Sequence, residues 1–231
     1  MKKTLVVLAG GFGTRLHSVL NGLPKPLADI NGEPFLKYQF ENWINNGFND
    51  FIISLHYQAE LIVNFLDKNR DDLLKNCKIQ YIIEETPLGT GGAIAYLVSS
   101  LELTDPFFVT NADTWIESGY DNLNQNEGCE IGLTLVRNAS RYGNVIIDEE
   151  RNIISFEEKV ELENEGLINI GLYRLEKSIF SKITNSQFSL EKDLFPLLIE
   201  DKKLKGTILK TKFIDIGIPI DYHEFCKWKN K

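Results

Sequence analysis

Thr4-Leu5-Val6-Val7-Leu8-Ala9-Gly10-Gly11-Phe12-Gly13-Thr14-Arg15-Leu16 runs from an apolar stretch into three closely spaced glycines and then an arginine. The short β-branched run Leu5–Leu8 predicts a buried strand, which the glycines end. Glycines carry no β-carbon, so their backbone N–H groups can approach a phosphate closely. Arg15 adds a planar donor fork suited to phosphate oxygens. Downstream, Leu23-Pro24-Lys25-Pro26-Leu27 holds a lysine between two prolines. Each proline fixes φ, so Lys25 stands on a stiff loop. Two commoner phosphate loops fail on spacing. A Walker loop ends in Gly-Lys-Ser/Thr, and a dinucleotide loop needs glycine where Leu16 stands. The alternative is a turn that uses glycine for geometry only. Arg15 and Pro24-Lys25-Pro26 weigh against it.

Charge supports a phosphate ligand here. Through Gly32, four basic residues (Lys2, Lys3, Arg15, Lys25) face one acidic residue, Asp29, in a chain whose net charge is −8. A polyanion is steered towards such a local exception. The overall acidity argues against a general nucleic-acid or anionic-membrane binder. No apolar run approaches the ~20 residues of a membrane span. The start faintly imitates a signal peptide, but its apolar stretch is too short and Arg15 follows at once. Cys77, Cys129 and Cys226 are far apart and odd in number. They predict reduced thiols in a cytoplasmic protein, with no bridge framework or Cys-based zinc site. At 231 residues, with 43% hydrophobic and 25% charged side chains, the chain is expected to form one globular domain over 1–231.

The first half alternates strand and helix. Strands are predicted at Leu5–Leu8, Phe51–Leu55, Ile79–Ile83 and Phe107–Val109, with helices over 34–46, 59–66 and 92–101. Continuous apolar strands between helices imply a parallel sheet covered on both faces. In the second half, strands are predicted at Ile131–Val136, Leu167–Tyr173 and Thr207–Thr211. Asn144–Ile147 and Ile153–Phe156 form a hairpin around a polar turn. Helices are expected over 175–183, 190–200 and 220–228. The fold class is a doubly wound, Rossmann-like α/β mixed sheet with a small antiparallel addition. Ligands of such sheets bind beyond the carboxyl ends of the strands. Scattered aromatics such as Trp115 and Trp228 are open between core, interface and ligand roles.

Gly10-Gly11-Phe12-Gly13-Thr14-Arg15-Leu16 with Pro24-Lys25-Pro26-Leu27 closely resembles the signature of sugar-1-phosphate nucleotidyltransferases. The resemblance covers most of the chain. Glu85-Thr86-Pro87-Leu88-Gly89-Thr90-Gly91-Gly92-Ala93 looks like the family's base-contacting loop. Asn111-Ala112-Asp113 and Phe213-Ile214-Asp215-Ile216-Gly217 look like its two metal aspartates. Arg141-Tyr142-Gly143, Phe156-Glu157-Glu158-Lys159 and Asn169-Ile170-Gly171-Leu172-Tyr173 look like its sugar-side elements. The resemblance implies a nucleotidyltransferase (GT-A-like) fold and an enzyme that joins a nucleoside triphosphate to a sugar 1-phosphate, releasing pyrophosphate. It implies nucleotide contacts from Leu8, Ala9, Gly10, Gly11, Gly13, Thr14, Arg15, Lys25, Gly89, Thr90 and Asp113. Arg15, Lys25 and Asp113 would be catalytic, and Asp113 with Asp215 would hold Mg2+. Gly143, Glu158, Lys159 and Asn169 would bind the sugar phosphate.

This chemistry needs positioning and charge neutralisation, because a phosphate nucleophile is already largely ionised at neutral pH. Accordingly the sequence has no Ser-His-Asp order, nucleophile elbow or His-Glu-x-x-His. His17, His56 and His223 form no cluster; His17 is a candidate phosphate contact, and the others read as structural. Asp215 lies between Ile214 and Ile216, an unfavourable place for an unpartnered charge. The acidic stretch 148–165 reads mostly as solvated surface. No hexapeptide repeat is present, which implies a single activity. The variant Leu16-His17-Ser18-Val19-Leu20-Asn21-Gly22-Leu23-Pro24 most resembles D-glycero-D-manno-heptose 1-phosphate guanylyltransferases. That implies GTP and D-glycero-alpha-D-manno-heptose 1-phosphate as substrates, and GDP-heptose for a capsule or other surface glycan. The alternatives are mannose- or glucose-1-phosphate guanylyl-, thymidylyl- or cytidylyltransferases. A metal-dependent glycosyltransferase would want Asp-x-Asp, and Asn111 stands at its first position. A non-catalytic nucleotide-sugar sensor could dispense with Arg15, Lys25 or an aspartate, yet all are present. A monomer or homodimer is expected.

Overall fold

The computed structural model describes residues 3–20, 22–124, 127–139, 142, 144–157, 165–181 and 183–230. The chain divides into two compact units: Met1–Pro87 with Thr110–Glu117 and Lys212–Lys231, and Leu88–Val109 with Ser118–Thr211.

In the first unit, strand Thr4–Ala9 pairs in parallel with Asp50–Leu55, which pairs in parallel with Lys78–Ile83. The first two strands are buried almost throughout, as parallel strands between helices should be. Lys78–Ile83 departs from that expectation. It pairs on one side only within this unit, and Tyr81 and Ile83 are exposed. Helix Ala59–Lys68 follows the second strand. Helix Phe35–Asn45 starts one residue after its extended cap, Pro34. Before it, Asp29–Ile30 and Glu33–Pro34 pair antiparallel. The linking Asn31 and Gly32 have φ of 55° and 94°, the left-handed pair that a tight hairpin demands.

Helix Phe35–Asn45 buries Phe35, Leu36, Phe40 and Trp43, but also Gln39 and Asn42. Gln39 Nε2 donates to the Thr114 carbonyl at 2.7 Å, and Asn42 Nδ2 to the Ile116 carbonyl at 2.7 Å. One turn on, Asn46 Nδ2 donates to the Glu117 carbonyl at 3.1 Å. Steps of three and four residues put these amides on one helix face. They grip strand Thr114–Ile116, which pairs antiparallel with Phe213–Asp215. Beneath lies a cluster of Leu16, Leu20, Ile30, Phe35, Trp115, Ile216 and Phe225. Of the roles left open for Trp115, the structure shows core: its ring packs 5.3 Å from Phe225 and 5.5 Å from Trp228. The closing helix spans Pro219–Lys229.

In the second unit, strand Cys129–Val136 pairs antiparallel with Gly166–Leu175 and parallel with Leu204–Ile208. The late strand thus begins three residues before the predicted Thr207. Asn144–Ile147 and Ile153–Glu157 form the expected antiparallel hairpin. Helix Gly89–Ser100 begins three residues before the predicted Gly92. The helix expected over 175–183 is only a short turn at Lys177–Phe180. The segment predicted as one helix over 190–200 is a π-helical stretch, Leu190–Leu194, followed by α-helix Phe195–Glu200. Pro196 has no N–H to donate to the Lys192 carbonyl, so the regular ladder cannot run through this point. The parallel helix-flanked strands and the antiparallel addition match the fold class read from the sequence.

Candidate active site

Two aspartates and a lysine, widely separated in sequence, converge in the first unit. The Ala112 N–H donates to the Leu8 carbonyl at 3.0 Å, tying the segment before Asp113 to the strand that feeds the glycine loop. The Ile216 N–H donates to the Asp113 carbonyl at 3.0 Å, and Asp215 sits opposite Thr114 in the two-strand pair. Lys25 Nζ lies 2.7 Å from Asp113 Oδ2. Lys25 stands on a hydrogen-bonded turn between its two prolines. Lys25–Leu27 is a 3-10 turn opened by Pro24, closed by Leu27 N–H to Pro24 and Ala28 N–H to Lys25.

Burial pushes the Asp215 carboxyl up from its ordinary 3.8 to about 6, and the charge of Asp113 adds to the rise. The Gly217 N–H, Lys25 and Arg15 oppose it. Gly217 is bound to this arrangement: its N–H donates to Asp215 Oδ1 at 2.8 Å, and a β-carbon there would lie 2.8 Å from the same oxygen. The residues suit a hard divalent cation. Two adjacent carboxylates repel each other and are relieved by one such ion. Among the described residues no group of three or more His, Cys, Asp or Glu could hold a metal.

The loop glycines differ in what requires them. Gly10 is crowded, with a β-carbon position 3.2 Å from His56 Cβ and 3.4 Å from Glu84 Oε1. Gly13 has φ of +68°, and a β-carbon there would press on Lys25 Cγ at 2.8 Å. Gly11 has neither constraint: among the described residues no atom lies within 4 Å of its β-carbon position. Nothing among them demands glycine at 11, whereas a ligand lying close to the backbone would. Thr14 and Arg15 are exposed in a short turn closed by Leu16 N–H to Gly13 at 3.0 Å. The side chain of His17 lies outside the described residues.

In the second unit, Gly89 and Thr90 begin a helix. Gly89 has φ of +75°, and a β-carbon there would stand 2.6 Å from the Phe188 carbonyl oxygen. The Gly91 and Gly92 N–H groups donate to that same carbonyl, at 3.0 and 3.1 Å. The glycines of this turn thus make room for the protein's own segment 186–190. The Thr90 hydroxyl is engaged too: it donates to Glu191 Oε2 at 2.8 Å and accepts from Leu190 N at 2.9 Å. Asn169 donates through Nδ2 to the Tyr173 hydroxyl at 2.9 Å, and its Oδ1 accepts from Gly171 N at 2.9 Å. Gly143, Glu158 and Lys159, read as sugar-phosphate ligands, lie outside the described residues.

Two polar groups escaped the sequence reading. Glu84, nearly buried, accepts from Ser54 Oγ at 2.6 Å, and its carbonyl lies 2.8 Å from His56 Nδ1. Glu84 directly follows the third strand, Lys78–Ile83. Glu191 accepts from Thr90, Ser189 and the buried Tyr173. The available signal was an acid beside apolar Leu190, two residues past aromatic Phe188.

Residues 4–229 match the family model described as nucleotidyl transferase. The chain is similar to D-glycero-alpha-D-manno-heptose 1-phosphate guanylyltransferase of Campylobacter jejuni: 40% identical over 226 residues, covering 95% of this chain and 97% of that protein. A probable mannose-1-phosphate guanylyltransferase 1 of Oryza sativa is 35% identical over 94% of this chain, which spans 62% of that protein. Among solved structures, HddC from Yersinia pseudotuberculosis superposes with a TM-score of 0.87 at 38% identity, covering 99% of this chain and 100% of that one. The same protein complexed with GMP-PN gives 0.85. Among the described residues no helix is long and apolar enough to cross a membrane.

Proposed function

Because the chain belongs to the nucleotidyl transferase family, we propose that it is a sugar-1-phosphate nucleotidyltransferase that couples GTP to D-glycero-alpha-D-manno-heptose 1-phosphate, yielding GDP-heptose and pyrophosphate. The observation that carries the reading is the convergence of Lys25, Asp113 and Asp215 beside the glycine loop. The similarity to the Campylobacter enzyme supports the choice of sugar, and the guanylyl names of the relatives support the base.

Leu8, Ala9 and Gly10 face the base, and Gly89 and Thr90 contact the nucleotide largely through backbone. Gly11, Gly13 and Thr14 present N–H groups to the triphosphate, with Arg15 as a planar donor. Lys25 sits on the phosphate being attacked. Its ammonium is already oriented by Asp113 and its rigid turn, so little reorganisation is needed as charge builds in the transition state. Asp113 and Asp215 would hold Mg2+, which when bound neutralises phosphate oxygens. Gly143, Glu158, Lys159 and Asn169 hold the sugar phosphate so that its oxygen meets the α-phosphorus in line with the leaving pyrophosphate. The whole chain acts as one catalytic domain in the cytoplasm, and its product feeds surface-glycan synthesis.

The test is a matrix of nucleoside triphosphates against sugar 1-phosphates, read by product mass. GDP-heptose is the expected product. GDP-mannose as the better product would transfer the reading to the relatives of mannose type. No product with any pair would remove it. Chelation should abolish turnover and Mg2+ restore it; undiminished turnover in chelator would remove the metal.

A further inference from the structure

We propose that Glu191 is a positioning residue that ties the Gly89–Gly92 turn to the Asn169 amide, setting the nucleotide loop and the sugar strand in register. The inference rests on the assignment of those two places to the two substrates, and extends it to a side chain given no substrate contact.

Proton directions order the network. Asn169 Nδ2 can only donate, so the Tyr173 oxygen accepts from it, at 2.9 Å. The phenol proton is then directed to Glu191 Oε1, 3.0 Å away. At the other carboxylate oxygen, Thr90 Oγ1 and Ser189 Oγ both donate at 2.8 Å. Leu190 N–H completes the Thr90 hydroxyl at 2.9 Å. One acceptor therefore collects protons from three hydroxyls on three separate elements: the helix start at 90, the strand at 173 and the cap at 189. A carboxylate suits this because it offers about four lone-pair sites and no donor.

The surroundings fix the same geometry. Phe188 N–H donates to the Leu88 carbonyl at 3.0 Å, and the Phe188 carbonyl accepts from Gly91 and Gly92. Tyr173 is buried, and burial together with the Glu191 charge holds its phenol far above its ordinary range, so it stays a donor. Asn169 has its amide oriented by Gly171 N and Tyr173, which leaves one N–H and one oxygen lone pair for a ligand hydroxyl. Glu191 also stands in the π-helical stretch, an irregularity frequent at functional sites.

The experiment uses the full chain with Glu191→Gln and Tyr173→Phe, read by amide hydrogen exchange and by steady-state kinetics. An amide side chain replaces one acceptor with a donor, so one branch must fail. In Glu191→Gln, exchange at Gly91 and Gly92 should quicken about tenfold, as expected when a hydrogen-bonded tie is lost. KM for both substrates should rise about tenfold while kcat moves less than about threefold. Tyr173→Phe should raise KM for the sugar 1-phosphate and leave that for the triphosphate unchanged, a split that general loosening would not produce. Unchanged exchange in Glu191→Gln overturns the proposal whatever the activity. Equal KM shifts in Tyr173→Phe overturn it as well. A wild-type chain that turns over no sugar 1-phosphate defeats the functional reading instead, with the exchange result still deciding the tie. If Glu191→Gln does not fold, Thr90→Val removes one branch and carries the same exchange test.

Discussion

The two units hold their candidate site residues by opposite means. In the first, charges of both signs meet: a lysine on a proline-braced turn lies 2.7 Å from one aspartate, with a second aspartate pushed up to about 6 beside them. In the second, hydroxyls and an amide are strung between Asn169 and Thr90 through one carboxylate. Two glycines, Gly11 and Gly92, carry a second contrast. Gly11 opens onto empty space, while Gly92 would drive a β-carbon into the Ser186 carbonyl oxygen. In the charged site burial and the neighbouring Asp113 oppose the Asp215 charge, a repulsion that a bound cation would relieve. In the hydroxyl network the protein's own donors fill the Glu191 carboxylate.

The largest effects should come from the charged site. Asp113→Asn should keep the fold and lower turnover by roughly 10³-fold or more, and Lys25→Ala by roughly 10²–10³-fold. Pyrophosphate release measures both; a loss under tenfold would make either residue peripheral. Next, the glycine contrast can be broken directly. Gly92→Ala should cost about 2–3 kcal/mol of stability, because backbone stands in the way. Gly11→Ala should stay within about 0.5 kcal/mol of wild type while weakening triphosphate binding. Urea titrations and nucleotide binding measure the pair, and equal stability losses would erase the distinction. The smallest effect concerns Asp215 in the ligand-free chain. Its folded value, about 6, exceeds the ordinary 3.8. The folded state therefore holds the proton longer than the unfolded chain, and stability falls as pH rises between those values. Asp215→Asn keeps the oxygen that faces Gly217 and removes that cost. It should be more stable than wild type by on the order of 1–2 kcal/mol above pH 6, with the gain vanishing below about pH 4. A gain at every pH would assign it to packing instead.

The charged site was legible because its chemistry is written in local strings. Gly10-Gly11-Phe12-Gly13-Thr14-Arg15 and Pro24-Lys25-Pro26 each state a backbone requirement and a charge within a few residues. Asp215 stood out as a charge amid isoleucines. The Asn31-Gly32 hairpin was equally legible, since the pair signals a left-handed turn. It was overlooked because the strands it joins are two residues each. Glu191 was not legible. Its partners lie at 90, 173 and 189, and an acid near a helix start ordinarily reads as a solvated cap. Trp115 stays open between core, interface and ligand in the sequence, because a three-residue strand beside an exposed turn gives no period from which to infer burial. Boundaries slipped where a proline or a short pairing, invisible to periodicity, decided them, as at Pro196 and Leu204–Ile208.

The amide ladder on helix Phe35–Asn45 has a consequence for drift. Gln39, Asn42 and Asn46 clasp main-chain oxygens of residues 114, 116 and 117 rather than their side chains. Every amino acid supplies such an oxygen. A lineage can therefore exchange the side chains of that strand, so long as they fill the space beneath, and still deliver the neighbouring aspartate to the same spot.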